Sequence, residues 1–418
     1  MKTAGEKKGK ILIISQYFPP DMASTGYVMA ELAADLASYG KEVRVIAGRT
    51  AYYSECPYKQ YEGAPDESAV KVKRVGPGFI NKDKAVGRIS SYLLFTASAM
   101  FQFRLFHWAD KVIVVSNPPT LVGLCAFVRV FFRKQAYFMV QDLYPDLAIH
   151  LGYASPRGIM SSVMYGLNRL GFSKAEKIVL IGEAMRRHFA GDPHYRKWSD
   201  KAVVIPNWED PEQVFPAAKD NPWSRLVRYN DRFVVLYAGN IGLIQDLDSV
   251  LEAAKILNDN GESRGNKDIV FLFAGEGGRK IYIQKKAADM GLDNVRFIGY
   301  VPTESYNDLL ATADCGIVAL KPGMDSFGFP VRTYSYMAAG RPVIAITEKD
   351  NELYRMIENN VVGISAYNGK SMAEAILRLK NDPALAKRLG DNGRAVLLKR
   401  FARKVSTGKY NDLIDGKI

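Results

Sequence analysis

The residues from Lys321 to Ile346, KPGMDSFGFPVRTYSYMAAGRPVIAI, combine the parts of an anion site. A loop rich in Gly and Pro leads through Pro330 and Val331 into a short helix carrying Arg332, Thr333 and Ser335. Gly340 closes the helix, Pro342 blocks its continuation, and Val343–Ile346 reads as a buried parallel strand. A helix start offers unpaired backbone N–H groups and the positive end of a dipole, so with Arg332 beside it the natural occupant is a phosphate. The competing reading is an ordinary loop–helix–strand connection with a solvated arginine.

Other segments have a similar character. In LYAGNIGLIQDLDSVLEAA, a strand Phe233–Ala238 runs into Gly239, Asn240, Ile241 and Gly242 ahead of a helix. The glycines permit backbone approach to a phosphate, and Asn240 and Gln245 are neutral donors for phosphate or sugar oxygens. The plainer reading is a turn, with Asp246 or Asp248 capping the helix. Ala274–Gly277 (AGEG), with Gly275 and Glu276, and Arg296–Pro302 (RFIGYVP), with Ile298 and Tyr300, stand at strand ends where backbone groups can hold a nucleobase edge. In QYFPPDMASTGYVMAEL, Gly26 falls just before the first helix, where a close approach to a ligand would need it; a generic turn accounts for it equally.

These segments are positioned by a βα rhythm. Lys10–Ser15, Glu42–Ala47, Lys111–Val115, Ala136–Val140, Lys177–Ile181 and Ala202–Ile205 read as strands, with a first helix over Tyr27–Tyr39; the stretch 49–84 reads as loops and a short hairpin. A second series runs from Phe233–Ala238 through strands Ile269–Ala274, Val295–Gly299, Cys315–Ala319 and Gly363–Ser365. The pattern predicts an α/β protein of two doubly wound, Rossmann-like parallel-sheet domains facing across a cleft. The expected division is an N-terminal domain 1–206, a connection 207–229 marked by Pro211, Pro216 and Pro222, and a C-terminal domain 230–395, with 396–418 packing back on the first.

At 418 residues, two domains are expected. Cys56, Cys125 and Cys315 are far apart and suggest a reducing compartment, and neither they nor the four histidines show metal-ligand spacing. The net charge of +13 favours anionic ligands or surfaces. No apolar run is long enough for a spanning helix. Tyr92–Trp108 and Leu121–Lys134 are rich in aromatic and apolar residues edged by Arg129, Arg133 and Lys134. They fit either interfacial helices on an anionic leaflet or core helices of the first sheet. Nucleic-acid binding is disfavoured, because the aromatics do not interleave with Lys and Arg on a strand face.

Taken in order, GNIG, FLFAGEGG, NVRFIGYVP and PVRTYSYMAAGRPVIAI, with YFPPDMASTGYVMAELAADLASYGKEVRVIAG and VIPNWED, resemble the retaining nucleotide-sugar glycosyltransferases of family 4. Within them the resemblance is to the bacterial surface-polysaccharide subgroup of colanic-acid and O-antigen (fucosamine-type) transferases. It covers nearly the whole chain and implies the GT-B fold, a UDP- or GDP-linked sugar donor, a lipid-linked saccharide acceptor, and neither metal nor cofactor. It also implies a cytoplasmic enzyme peripheral to the inner face of the cell membrane. By position, Gly26 matches the glycine against the donor phosphates, and Asp142 matches the acidic residue near sugar and acceptor, with Gln141 where many members have His. Arg332 matches the Lys or Arg of a P-S-[KR] motif in which Val331 replaces Ser. Asp325 falls close to the first carboxylate of the E-x7-E signature and Ser335 at the second, which usually holds the ribose. Asn240 and Gln245 stand where much of the family has Arg and Lys, so Arg332, Lys321 or helix-end N–H groups must stabilise the leaving diphosphate. The resemblance implies that this phosphate itself takes the acceptor proton. A nucleotide-sugar epimerase or hydrolase, and a catalytically degenerate binding subunit, are the competing readings.

Overall fold

The computed structural model describes residues 9–20, 24–49, 70–77, 85–259 and 268–418. By packing, the chain divides into two units: Met1–Pro206 with Ser326–Gly328 and Ser406–Ile418, and Asn207–Asp325 with Phe329–Val405.

In the first unit, strands β1 (Lys10–Ile14), β2 (Glu42–Gly48), β3 (Val70–Val75), β4 (Lys111–Val115), β5 (Gln135–Val140), β6 (Lys177–Leu180) and β7 (Ala202–Val204) form one sheet. Its order is β3-β2-β1-β4-β5-β6-β7, and every pairing is parallel. The central strands KILII and KVIVV are apolar without alternation because helices cover both faces. The edge strand VKVKRV differs: Lys71, Val72 and Lys73 are all exposed, and only Val70 and Val75 are buried. Where a hairpin was expected, this segment lies parallel to β2, with Val43 opposite Val70, so a crossover must separate the two strands. Most of that crossover lies outside the described residues.

The second unit contains β8 (Phe233–Ala238), β9 (Ile269–Ala274), β10 (Val295–Ile298), β11 (Cys315–Ala319), β12 (Val343–Ile346) and β13 (Gly363–Ala366), all parallel, in the order β10-β9-β8-β11-β12-β13. Its core gathers Val235, Tyr237, Phe271, Phe273, Ile317 and Ile344 against helix residues such as Leu251, Leu257, Met372 and Ile376. Each of these large side chains contributes about 1.5–3 kcal/mol on burial. In both sheets the strand order reverses once, between β1 and β4 and between β8 and β11. The strand C-termini at such a reversal leave a crevice that ligands use.

Residues 207–229, expected to be a connection, are packed onto the second unit. Asn221 caps the short helix Pro222–Leu226, and its Nδ2 donates to the Asp308 carbonyl at 3.1 Å. Arg394 donates to the carbonyls of Pro211 and Val214. The return to the first unit begins at Ser406, later than residue 396. Up to that point Phe401 and Arg403 are tied to the backbone of Glu209. Beyond it, Thr407 bonds Asp35, and Lys41 pairs with Asp415.

Candidate active site

The first unit's crevice is built from the ends of β1, β4 and β5. Ser116 Oγ accepts the N–H groups of Gln141 (2.9 Å) and Asp142 (3.3 Å), and Asn117 O accepts the Gln16 N–H at 3.2 Å. The Asn117 side chain donates to Thr25 Oγ1 at 3.3 Å and also bonds the Asp142 carboxyl. Burial raises the Asp142 pKa to about 6, and the Asn117 bond only partly offsets it. The structure thus places Asp142 beside the start of helix Ser24–Ser38, in a polar shell of Ser116, Asn117 and Thr25 that the sequence did not single out. That helix begins earlier than expected, so Gly26 lies buried in its first turn and not ahead of it. Phe327, within the first unit, sits with its ring centroid 5.3 Å from those of His150 and His188.

In the second unit the key is Tyr336, on helix Arg332–Ala338. Only two residue pairs join β8 to β11, Cys315 with Val235 and Gly316 with Leu236. Beyond them the Tyr336 hydroxyl accepts the Ala238 N–H (2.8 Å) and donates to the Leu236 carbonyl (3.0 Å), replacing the missing ladder. Its ring fits because position 316 is glycine: a Cβ there would lie 2.2 Å from it. One helical turn earlier, on the same face, this anchor places Arg332. The Arg332 guanidinium lies 4.1 Å from the Tyr237 ring centroid, and its Nη2 donates to the Asn240 carbonyl at 3.2 Å. Arg332 Nη1 and the neighbouring Thr333 Oγ1 are buried without a partner, and each such unmade bond costs about 1–3 kcal/mol.

Gly239 and Gly275 bring backbone to this point. Gly275 has φ of +137° and stands so close to Gly239 that a Cβ would meet the Gly239 carbonyl oxygen at 2.2 Å, so no side chain is accommodated. Asn240 is exposed, whereas Gln245 is buried with Oε1 accepting the Gly242 N–H at 2.9 Å, so this oxygen shapes the loop. Asp246 caps the following helix through Ser249, and Asp248 is paired with Arg279 and Lys286. Glu276 pairs with Lys280 at 2.5 Å, and Lys280 also reaches the Ile298 carbonyl at 3.3 Å. Tyr300 is partly buried just beyond that strand.

Three expectations for the loop and helix change. The Thr333 and Tyr334 N–H groups are not free: they donate to the carbonyls of Pro330 (3.0 Å) and Val331 (2.8 Å), in a tight first turn. Asp325 Oδ2 accepts the Glu352 N–H at 3.2 Å, at the start of helix Glu352–Asn359, so this oxygen serves a helix end. Ser335 does not stand in for a carboxylate by itself. Its hydroxyl donates to Glu209 Oε2 at 2.5 Å, and burial raises the Glu209 pKa. Tyr306 completes the group: its pKa is pushed up to about 12 by burial and by the Glu209 charge, offset by Ser335 and Arg332.

Among the described residues, one group has metal-ligating atoms close together, within 4.8 Å of one another: Asp146, His188 and Asp192. Its buried member Asp146 already accepts from Tyr195 and, at 3.3 Å, from His188.

Known proteins resemble both the sequence and the fold. Residues 223–396 match the family of glycosyl transferases group 1. The probable glycosyltransferase WbjE of Pseudomonas aeruginosa is 25% identical over 415 residues, covering 96% of each chain. The putative colanic acid biosynthesis glycosyl transferase WcaI of Escherichia coli K12 is 27% identical over 370 residues, covering 84% of this chain and 86% of its own. The crystal structure of Anabaena HepE in complex with UDP and glucose superposes with a TM-score of 0.72 at 14% identity, over 98% of this chain and all of that one. The two parallel sheets have the GT-B architecture, and the second unit carries the match to glycosyl transferases group 1 over residues 223–396.

Proposed function

We propose that this chain is a retaining, hexosyl-type glycosyltransferase. It takes a sugar from a UDP- or GDP-linked donor and adds it to a polyprenyl-diphosphate-linked or polysaccharide precursor of a bacterial surface glycan. The observation that carries this reading is Arg332, held over Tyr237 and against Asn240 at the glycine-lined end of β8. A fixed guanidinium beside close-approaching backbone suits a diphosphate, and its charge counts most as the sugar–phosphate bond breaks. The complex of Anabaena HepE with UDP and glucose supports a donor of this class.

The transition state is oxocarbenium-like, with negative charge growing on the departing phosphate. Arg332 stabilises that charge without a metal, and the departing phosphate oxygen accepts the proton of the attacking hydroxyl, so no protein base is required. Asp142 orients the sugar or the acceptor. Release of UDP or GDP should depend on a lipid-linked saccharide. Release without acceptor would indicate a hydrolase, and saturable binding without turnover a non-catalytic subunit.

A lipid-linked acceptor calls for a membrane surface. Helix Ala85–Met100 leaves Ile89, Leu93 and Leu94 exposed, and Phe101, Phe103, Val130 and Phe131 are exposed as well. Phe101, Phe103, Phe127, Phe131 and Phe132 form a connected ring cluster, edged by exposed Arg104, Arg129 and Arg133. The buried face of helix Gly123–Phe131, with Leu124, Cys125 and Val128, belongs to the core. Among the described residues no helix is long and apolar enough to cross a membrane. An exposed aromatic face with arginines at its edge suits the anionic inner leaflet. Flotation with phosphatidylglycerol vesicles should carry the protein up, and Phe101→Ser/Phe131→Ser should abolish this. Equal flotation of the variant would exclude this face.

A further inference from the structure

We infer that Glu209, 126 positions before Ser335 in the chain, is the acceptor for the ribose hydroxyls of the bound nucleotide, with Ser335 as the group that positions it. The inference rests on the nucleotide-sugar reading above and names a residue of the same site. Glu209 Oε2 takes the Ser335 hydroxyl at 2.5 Å, and Oε1 takes the Asp210 N–H at 3.0 Å. A carboxylate has about four acceptor positions, so each oxygen has room for a further donor. Among the described residues no Lys or Arg pairs with Glu209; burial raises its pKa, while the hydrogen bonds from Ser335 and the Asp210 N–H favour the charged form. A partly buried carboxylate without a cation is costly, and hydroxyl or N–H donors offset that cost.

The chemistry of a further donor to this carboxylate is constrained on both sides. A phosphate is excluded at Glu209 itself by like charge. Arg332, which suits a phosphate, precedes Ser335 by three residues, a spacing that puts side chains roughly 5–6 Å apart on a helix. A ligand that presents hydroxyls at one point and a diphosphate one helical turn away is a ribonucleoside diphosphate. The backbone of Glu209 is itself fixed: its N–H donates to Phe401 O (3.1 Å), and its carbonyl accepts from Arg403 N (3.0 Å). Tyr306 also bonds the Ser335 hydroxyl. The carboxylate is therefore preorganised before any ligand arrives.

Calorimetric titration of UDP and GDP, each with its 2′-deoxy and 3′-deoxy form, tests this on the wild-type chain, Glu209→Gln and Ser335→Ala. The wild type should lose at least tenfold in affinity when a contacted hydroxyl is removed. Glu209→Gln should shrink that penalty below threefold, and Ser335→Ala should give an intermediate value. In turnover, Glu209→Gln should raise KM for the donor more than it lowers kcat. Because the substitution removes a buried charge, its Tm should equal or exceed that of the wild type, which separates a site effect from misfolding. Glu209→Gln that binds nucleotide with full discrimination overturns the inference alone. A wild-type chain that binds neither nucleoside diphosphate overturns the functional reading, and the inference with it.

Discussion

Arg332→Ala is expected to lower kcat/KM for sugar transfer ten- to a hundredfold, a loss of about 1.4–3 kcal/mol of transition-state stabilisation. The size follows from position. The guanidinium is not a tethered surface charge: it lies over the Tyr237 ring and is fastened to Asn240 O. Its helix is held through Tyr336, so the truncation removes the charge while the scaffold stays. Arg332→Lys should recover only part of the activity, because an ammonium keeps the charge but not the planar fork and the stacking. Single-turnover kinetics at saturating donor give the cleanest reading, since they report the bond-breaking step. A folded Arg332→Ala chain with unchanged kcat/KM would remove the arginine from the mechanism.

Asp142→Asn should separate stability from activity. The folded-state pKa of Asp142, about 6, lies above its ordinary value of 3.8, so folding favours the protonated form. The sign follows: this contribution to stability is complete below about pH 3.8 and is lost as pH rises through 6. A rise of about two pH units corresponds to about 3 kcal/mol at most. The asparagine chain should therefore gain about 1–3 kcal/mol over wild type at pH 8 and little at pH 4, read as Tm differences. Activity should move oppositely. Wild-type kcat/KM should fall about tenfold per pH unit below pH 6 as the carboxylate protonates. The variant should be about a hundredfold slower at pH 8 and lack that acid limb. A Tm difference that is the same at both pH values would contradict the assigned burial, and an unchanged acid limb would assign it to another group.

Much of the fold is legible because buried parallel strands announce themselves. KVIVV, FVVLYA and IVFLFA have no polar alternation, and the structure bounds these strands as the sequence does to within a residue. The edge strand VKVKRV is harder, since its middle residues Lys71, Val72 and Lys73 are exposed and it lacks the continuous apolar run of the central strands. Helix ends marked by Gly and Pro are also legible, as at Gly340 and Pro342.

The site is less so, because its partners come from distant segments. Nothing in VIPNWED says that Glu209 will meet Ser335, and nothing near Asp142 points to Ser116 and Asn117. Polar residues also have competing uses. Gln245 Oε1 and Asp325 Oδ2 look like free ligand groups in the sequence but are engaged by backbone N–H groups of their own unit. A spacing motif reports which residues reach the neighbourhood; the hydrogen-bond count decides which remain available.

The Tyr336 ring between β8 and β11 has a consequence for how chains of this kind can diverge. The ring, the bare Cα at Gly316 and the two peptide groups it bonds form a unit in which no member can change alone. A larger residue at 316 would evict the ring, and loss of the hydroxyl would strand a carbonyl and an N–H inside a sheet. Across relatives these positions should vary together or not at all. Change is easier at the rim, where Asn240, Glu276 and Tyr300 retain exposed surface and can be exchanged one at a time. On the proposed function, the wedge keeps the Arg332 end of the site constant while leaving its rim open to drift.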